Sequence, residues 1–225
     1  MAESSPRAVL FDIDGTLIST GGASDRAWHR AVRELYRVDF DVGAHTGRGV
    51  PDPEVGREVL EQVLGREPTT RELADAMRMR LRYLSGEVAS SPGYRVEPGV
   101  PELLEALAGE GVLLGLTTGN VEAAAHIKLA RGELNHYFSF GGYGSDAADR
   151  TELTRTAVRR ARRIGGEDLG AGSIVSVGDT PRDVEAGHGA GIRVVGVATG
   201  EYGVEQLLAA GADWAIESLE KGLPA

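Results

Sequence analysis

The chain has 225 residues, 41% hydrophobic and 26% charged, with 34 acids against 24 bases and a formal net charge of −10. That length suits one large domain or a core with an inserted subdomain, and the acidity argues against nucleic acid or an anionic membrane as partner. There is no cysteine, which excludes disulfides, thiolate catalysis and cysteine-zinc sites, and no stretch nears the ~18 apolar residues of a membrane span.

Residues 1–7 are polar and lack the apolar centre of a signal peptide, so the expected location is cytoplasmic. Residues 8–11 are a continuous apolar run and read as a buried β-strand. The strand ends in Asp12-Ile13-Asp14-Gly15-Thr16. Two ionised carboxylates this close repel, and burying them is costly without compensation. The pair therefore suggests a metal, a shared proton, or both. The next stretch, to Pro98, carries no strand signal, while 24–36, 53–64 and 69–88 have helical spacing. A crossover between parallel strands needs far less chain than this. The simplest organisation is a helical insert, 20–93, within a core made of 1–19 and 94–225. Trp28 and Tyr36, eight apart, read as core of that insert.

Beyond Pro98 the rhythm is regular. Strands are expected at 112–116, 137–140, 174–177, 193–197 and, as a short edge, 214–216; helices at 101–107, 121–131, 151–163 and 182–190. This alternation predicts an α/β fold: a Rossmann-like parallel sheet with helices on both faces. The glycine-rich run 140–144 lacks dinucleotide-motif spacing and reads as a loop.

Ligands of such sheets bind outside the carboxyl ends of the strands. After the first strand come Asp12 and Asp14; after the second, Thr117-Thr118-Gly119-Asn120; after the third, Ser145-Asp146 and Arg150; after the fourth, Gly178-Asp179-Thr180-Pro181-Arg182-Asp183. Thr118 alone reads as a helix cap and Gly178-Asp179-Thr180-Pro181 as a turn before a helix. Their convergence on one sheet edge is what promotes them to a site.

In order and spacing these motifs resemble the haloacid dehalogenase-like hydrolases, within them the branch of phosphoglycolate phosphatases and β-phosphoglucomutases. The resemblance implies that 20–93 is an α-helical cap domain over the site. It implies Asp12 as nucleophile, forming an aspartyl-phosphate, and Asp14 as general acid and base. Mg²⁺ would be held by Asp12, Asp179 and the Asp14 backbone carbonyl. Thr118, Gly119 and Asn120 would cradle phosphate, and Asp183 would orient the metal water or the basic residue. Where the family places a lysine near the start of the helix after the third strand, this chain has Arg150, which keeps the charge and adds a bidentate fork. Only two lysines exist, Lys128 and Lys221. Lys128 is eight residues past Asn120, about 12 Å along a helix leading away from the strand ends, so Arg150 is the expected cation.

Asp14 and Asp179 separate the chain from the metal-independent dehalogenases of the family. The absence of lysine from the insert argues against a Schiff-base phosphonate-cleaving member. His45, Arg48 and Asp52, in a polar glycine-containing loop of the insert, are candidates for contacting substrate. The expected activity is Mg²⁺-dependent hydrolysis of a small phosphomonoester, a phosphorylated metabolite of the phosphoglycolate or sugar-phosphate kind. A sugar phosphomutase and a catalytically silent binding or regulatory member are the alternatives. The expected assembly is a monomer or homodimer.

Overall fold

The computed structural model of the protein describes residues 6–43, 49–166 and 168–224. Strand β1 is Ala8–Phe11, with all four side chains buried. Val9 and Phe11 enter one apolar cluster, and Ala8 and Leu10 enter another on the opposite face. A strand dry on both faces is what the centre of a parallel sheet demands, and it explains the unbroken apolar run. A short strand β2, Ile18–Ser19, follows and pairs antiparallel with β3, Arg95–Val96. Between them lie helices α1 (Ala23–Tyr36), α2 (Asp52–Leu64) and α3 (Thr70–Ser90). These three bury a cluster of their own, including Trp28, Val32, Val59, Leu60 and Ala76, with Tyr36 packed at its margin.

The chain then alternates: α4 (Val100–Gly109), β4 (Leu113–Thr118), α5 (Glu122–Ala130), β5 (Phe140–Tyr143), α6 (Arg150–Gly165), β6 (Ile174–Gly178), α7 (Pro181–Gly189), β7 (Arg193–Val197), α8 (Val204–Ala209) and β8 (Trp214–Ile216). The main sheet has six strands in the order β5-β4-β1-β6-β7-β8, and every pairing is parallel. The order runs outward from β1 in both directions. The carboxyl end of β1 is thus the switch point, where a crevice opens, and β4 and β6 flank it.

Several elements depart from expectation: β2 and β3 form a two-stranded pair in a stretch without strand signal, α8 adds a short helix, and the third core strand is shifted. The third strand of the core spans Phe140–Tyr143 rather than 137–140, and Asn135–Tyr137 is a 3₁₀ turn. Glycine argues against a strand on propensity grounds, but here packing decides. A Cβ at Gly142 would stand 1.9 Å from the Leu153 carbonyl oxygen. The glycine lets α6 lie directly on β5, so the run taken for a loop is a strand shaved to admit a helix.

Candidate active site

Each of the strand ends around the switch point delivers its residues to one place. Asp12, directly after β1, is buried, and so are Asp179, directly after β6, and Asp183 on α7. Carboxylate oxygens of all three lie within 4.8 Å of one another. Asp179 Oδ1 accepts from the Thr16 hydroxyl at 3.3 Å. Gly15, at φ 89°, passes so close that a Cβ there would sit 2.3 Å from Asp179 Oδ2, so the turn after β1 must be glycine both for its backbone and for this approach. Asp183 closes a capping box with Thr180: its Oδ2 accepts from the Thr180 amide at 3.0 Å and the Thr180 hydroxyl at 2.6 Å.

Arg150 is the cation in this cluster. Asp149 caps α6 by accepting from the Glu152 amide at 2.9 Å, which sets Arg150 as the first helical residue. The Thr154 hydroxyl donates to the Arg150 carbonyl at 2.9 Å, and a 2.8 Å bond joins Thr154 to Thr117 of β4. The guanidinium reaches Asp12 Oδ1 at 3.0 Å and grips Asp183 Oδ1 through Nε, at 3.1 Å, and Nη2. It does not pair with its sequence neighbours: Asp146 is taken by Arg160 and Asp149 by the helix cap. Burial lowers the proton affinity of Arg150, but the charges of Asp183 and Asp12 raise it further, so the group stays cationic.

One guanidinium does not offset three carboxylates. Burial pushes Asp12 up to about 7 even though the charge of Arg150 opposes it, with Asp183 and Asp14 adding to the rise. Burial, followed by the charges of Asp183 and Asp12, pushes Asp179 up to about 8. The donor set is all carboxylate oxygen, which suits a hard divalent cation.

The second acid of the pair sits in a different environment. Asp14 Oδ2 accepts from Lys128 Nζ at 2.6 Å and from Asn120 Nδ2 at 2.8 Å. The other hydrogen of Asn120 Nδ2 goes to the Thr118 hydroxyl oxygen at 2.8 Å, which also accepts from the Asn120 amide at 3.3 Å. Burial raises the Asp14 carboxyl, but the charge of Lys128 and the bonds from Asn120 and Lys128 outweigh it and hold the group below the usual range.

Lys128 corrects the argument from helical rise. It is buried on α5 with Ala124, Ala125 and Leu129, of which Ala125 and Leu129 enter the core cluster and Ala124 the one formed with α1 and α3. The helix begins at Glu122, nearer than Asn120 suggested, and helical side chains lean back toward the N-terminus. Asp14, two residues past β1, comes forward to meet it. The sequence signal was there: a lysine in phase with the buried face of a helix. The structure therefore brings both Arg150 and Lys128 to the site, one on each acid. Asn120, expected only to offer its backbone amide, uses its side chain to join Asp14 to Thr118.

Asp52 is not on an open loop. It starts α2, is buried, and its Oδ2 accepts from Arg80 Nη1 at 2.7 Å and from the Val121 amide at 2.9 Å. A polar side chain consumed this way has no acceptor capacity to spare on that oxygen for a substrate hydroxyl. His45 and Arg48 lie outside the described residues. Among the described residues no helix is long and apolar enough to cross a membrane.

Residues 6–191 match the family model of haloacid dehalogenase-like hydrolases. The plasmid-encoded phosphoglycolate phosphatase of Cupriavidus necator is 34% identical over 226 residues, covering 97% of this chain and 91% of that one. The phosphoglycolate phosphatase of Aquifex aeolicus is 30% identical over 190 residues, 83% of this chain and 82% of its own. Among solved structures, CbbY from Rhodobacter sphaeroides in complex with phosphate shares the fold at a TM-score of 0.74 and 22% identity, with 96% of each chain covered. The chain belongs to the haloacid dehalogenase-like hydrolases.

Proposed function

We propose that the protein is a phosphatase that hydrolyses a small phosphomonoester, of the phosphoglycolate or sugar-phosphate kind, through an aspartyl-phosphate on Asp12. The observation that carries this reading is the buried cluster of Asp12, Asp179 and Asp183, with Arg150 on Asp12 and Asp183. The phosphoglycolate phosphatases among its relatives support the substrate class.

Mg²⁺ fits the donors present: Asp12 and Asp179 would hold it through carboxylate oxygens and Asp14 through its backbone carbonyl. Such an ion, when bound, offsets the carboxylates and the phosphate oxygens and polarises the phosphorus. Asp183 has both oxygens engaged, by Arg150 and Thr180, and so positions Arg150. Arg150 fixes one oxygen of Asp12, giving the nucleophile a single orientation. Thr118 accepts twice from Asn120, which leaves its own proton to donate to a phosphate oxygen.

In the first step an Asp12 oxygen bonds to phosphorus, the ester oxygen departs with the electron pair, and Asp14 supplies its proton. In the second, water attacks the aspartyl-phosphate, Asp14 takes the water proton, and phosphate leaves Asp12 free. The low proton affinity of Asp14 in the free protein suits the second step. The negative charge of an arriving phosphoester raises it for the first. We read residues 20–93 as the cap that excludes water during both.

The test is phosphate release from a panel of small phosphomonoesters with Mg²⁺. Wild type should turn over at least one, and Asp12→Asn none. Release by Asp12→Asn at the wild-type rate, or no release by wild type from any ester, overturns the reading.

A further inference from the structure

Three contacts tie the start of α2 to the site. The Asp52 amide donates to the Gly119 carbonyl at 2.8 Å, the Val121 amide donates to Asp52 Oδ2 at 2.9 Å, and Arg150 Nη1 donates to the Gly49 carbonyl at 3.1 Å. The first two clamp the loop between β4 and α5. A trans peptide holds its C=O and N–H in opposite directions. Fixing the Gly119 carbonyl on Asp52 therefore aims the Asn120 N–H the other way, onto the Thr118 side, where it donates at 3.3 Å. The following peptide is held at both ends, with the Asn120 carbonyl accepting from the Gly144 amide at 2.9 Å and the Val121 N–H bonded to Asp52. The approach is tight. A Cβ at Gly119 would lie 3.0 Å from Pro51 Cα and 3.1 Å from the Val50 carbonyl oxygen.

The charge of Asp52 has its own counterion. Arg80, from the middle of α3, is fully buried, reaches Asp52 at 2.7 Å and lies over the Trp28 ring at 5.2 Å. The pair is thus built from the insert alone, and presents one carboxylate oxygen to one core amide.

We infer that Asp52 is a positioning residue, which shapes the phosphate-binding loop 118–121 when the insert is seated on the core, with Arg80 holding its carboxylate in place. The inference rests on the phosphatase reading. It joins two properties that the sequence presents as separate, the seating of the insert and the geometry of the phosphate cradle. Substrate specificity is not needed to explain this acid.

The test compares two double variants in which the buried charge pair is neutral. Asp52→Asn with Arg80→Met keeps an acceptor for the Val121 amide. Asp52→Leu with Arg80→Met does not. Binding of orthovanadate and of inorganic phosphate with Mg²⁺ is measured by titration calorimetry, beside thermal unfolding. The first variant should bind within about threefold of wild type, and the second roughly tenfold more weakly than the first, as expected for loss of one buried acceptor. The two should unfold at similar temperatures. Equal oxyanion affinity in the two variants, with wild type binding normally, overturns the positioning role alone. Failure of wild type to bind either oxyanion overturns the phosphatase reading together with it.

Discussion

Asp12 and Asp14 are separated by a single residue, yet their surroundings push them in opposite directions. Asp12 is directed into a cluster with two further carboxylates, one of which, Asp183, shares its guanidinium, and burial wins. Asp14 is directed toward α5, where an ammonium and an amide meet one of its oxygens, and the partners win. Pairs of acids driven apart in this way mark divided labour at catalytic sites. The excess negative charge at Asp12 calls for a cation from outside the chain. The balance at Asp14 is supplied from within it. The first environment suits a nucleophile held beside a metal, and the second suits a group that exchanges protons.

The sharpest way to break this division is to remove one acid. In the proposed mechanism Asp12→Asn takes away the attacking oxygen, and phosphate release should fall on the order of 10⁴-fold or more. A loss of less than about tenfold, in a steady-state phosphate assay, would move the nucleophile elsewhere. The next effect is at the cation. Arg150→Met leaves Asp12 without its guide and removes the guanidinium that Asp12 and Asp183 share, and turnover should fall by about 10²- to 10³-fold. Retention of most of the activity would show that orientation of Asp12 does not depend on Arg150.

Much of this was legible in the chain, and the parts that were not share a cause. The acids at the strand ends were visible because polar residues directly after apolar runs need no knowledge of packing. The same logic fails for β5, where Gly142 looks unsuited to a strand until α6 is laid on it. Rise along the helix axis places Lys128 out of reach, and only the backward lean of helical side chains brings it to Asp14. Asp52 reads in the sequence as a loop residue able to contact substrate, and only the long-range partners Arg80 and Val121 reveal that it is buried. The periodic signals report the path of the backbone. They say little about which two surfaces meet.

The two environments also differ in how they respond to pH. Without divalent cation, Asp12 rises to about 7 and Asp179 to about 8 from an ordinary value of 3.8. Between about pH 4 and pH 8 the folded protein therefore binds more protons than the unfolded chain. Its unfolding free energy falls as pH rises through that window, by up to about 1.4 kcal/mol per pH unit for each group. Asp14 behaves oppositely: its stabilisation is complete above 3.8 and is lost only as pH falls through its lower folded value, outside the window. Thermal unfolding from pH 5 to 8 in chelator should show a declining midpoint. Excess Mg²⁺ should flatten it, with the larger gain at pH 8, where protons no longer compete for the carboxylates. A chelated midpoint that rises with pH would mean that the carboxylate cluster is already compensated.

The smallest and most discriminating effect is expected from Lys128→Met, which keeps most of the length of the buried side chain and removes its charge. Asn120 still donates to Asp14 Oδ2, so the acid keeps one of its two partners. Burial, until now outweighed, then raises its proton affinity. Turnover near neutral pH should fall about tenfold, and the acid limb of the kcat profile should move to higher pH. Arg150→Met offers the contrast, because it acts on Asp12 and should weaken turnover without that displacement of the Asp14 limb. If Lys128→Met lowers activity with the limb unmoved, Lys128 serves the packing of α5 against the core. The opposition between the two acids would then rest on Asn120 alone.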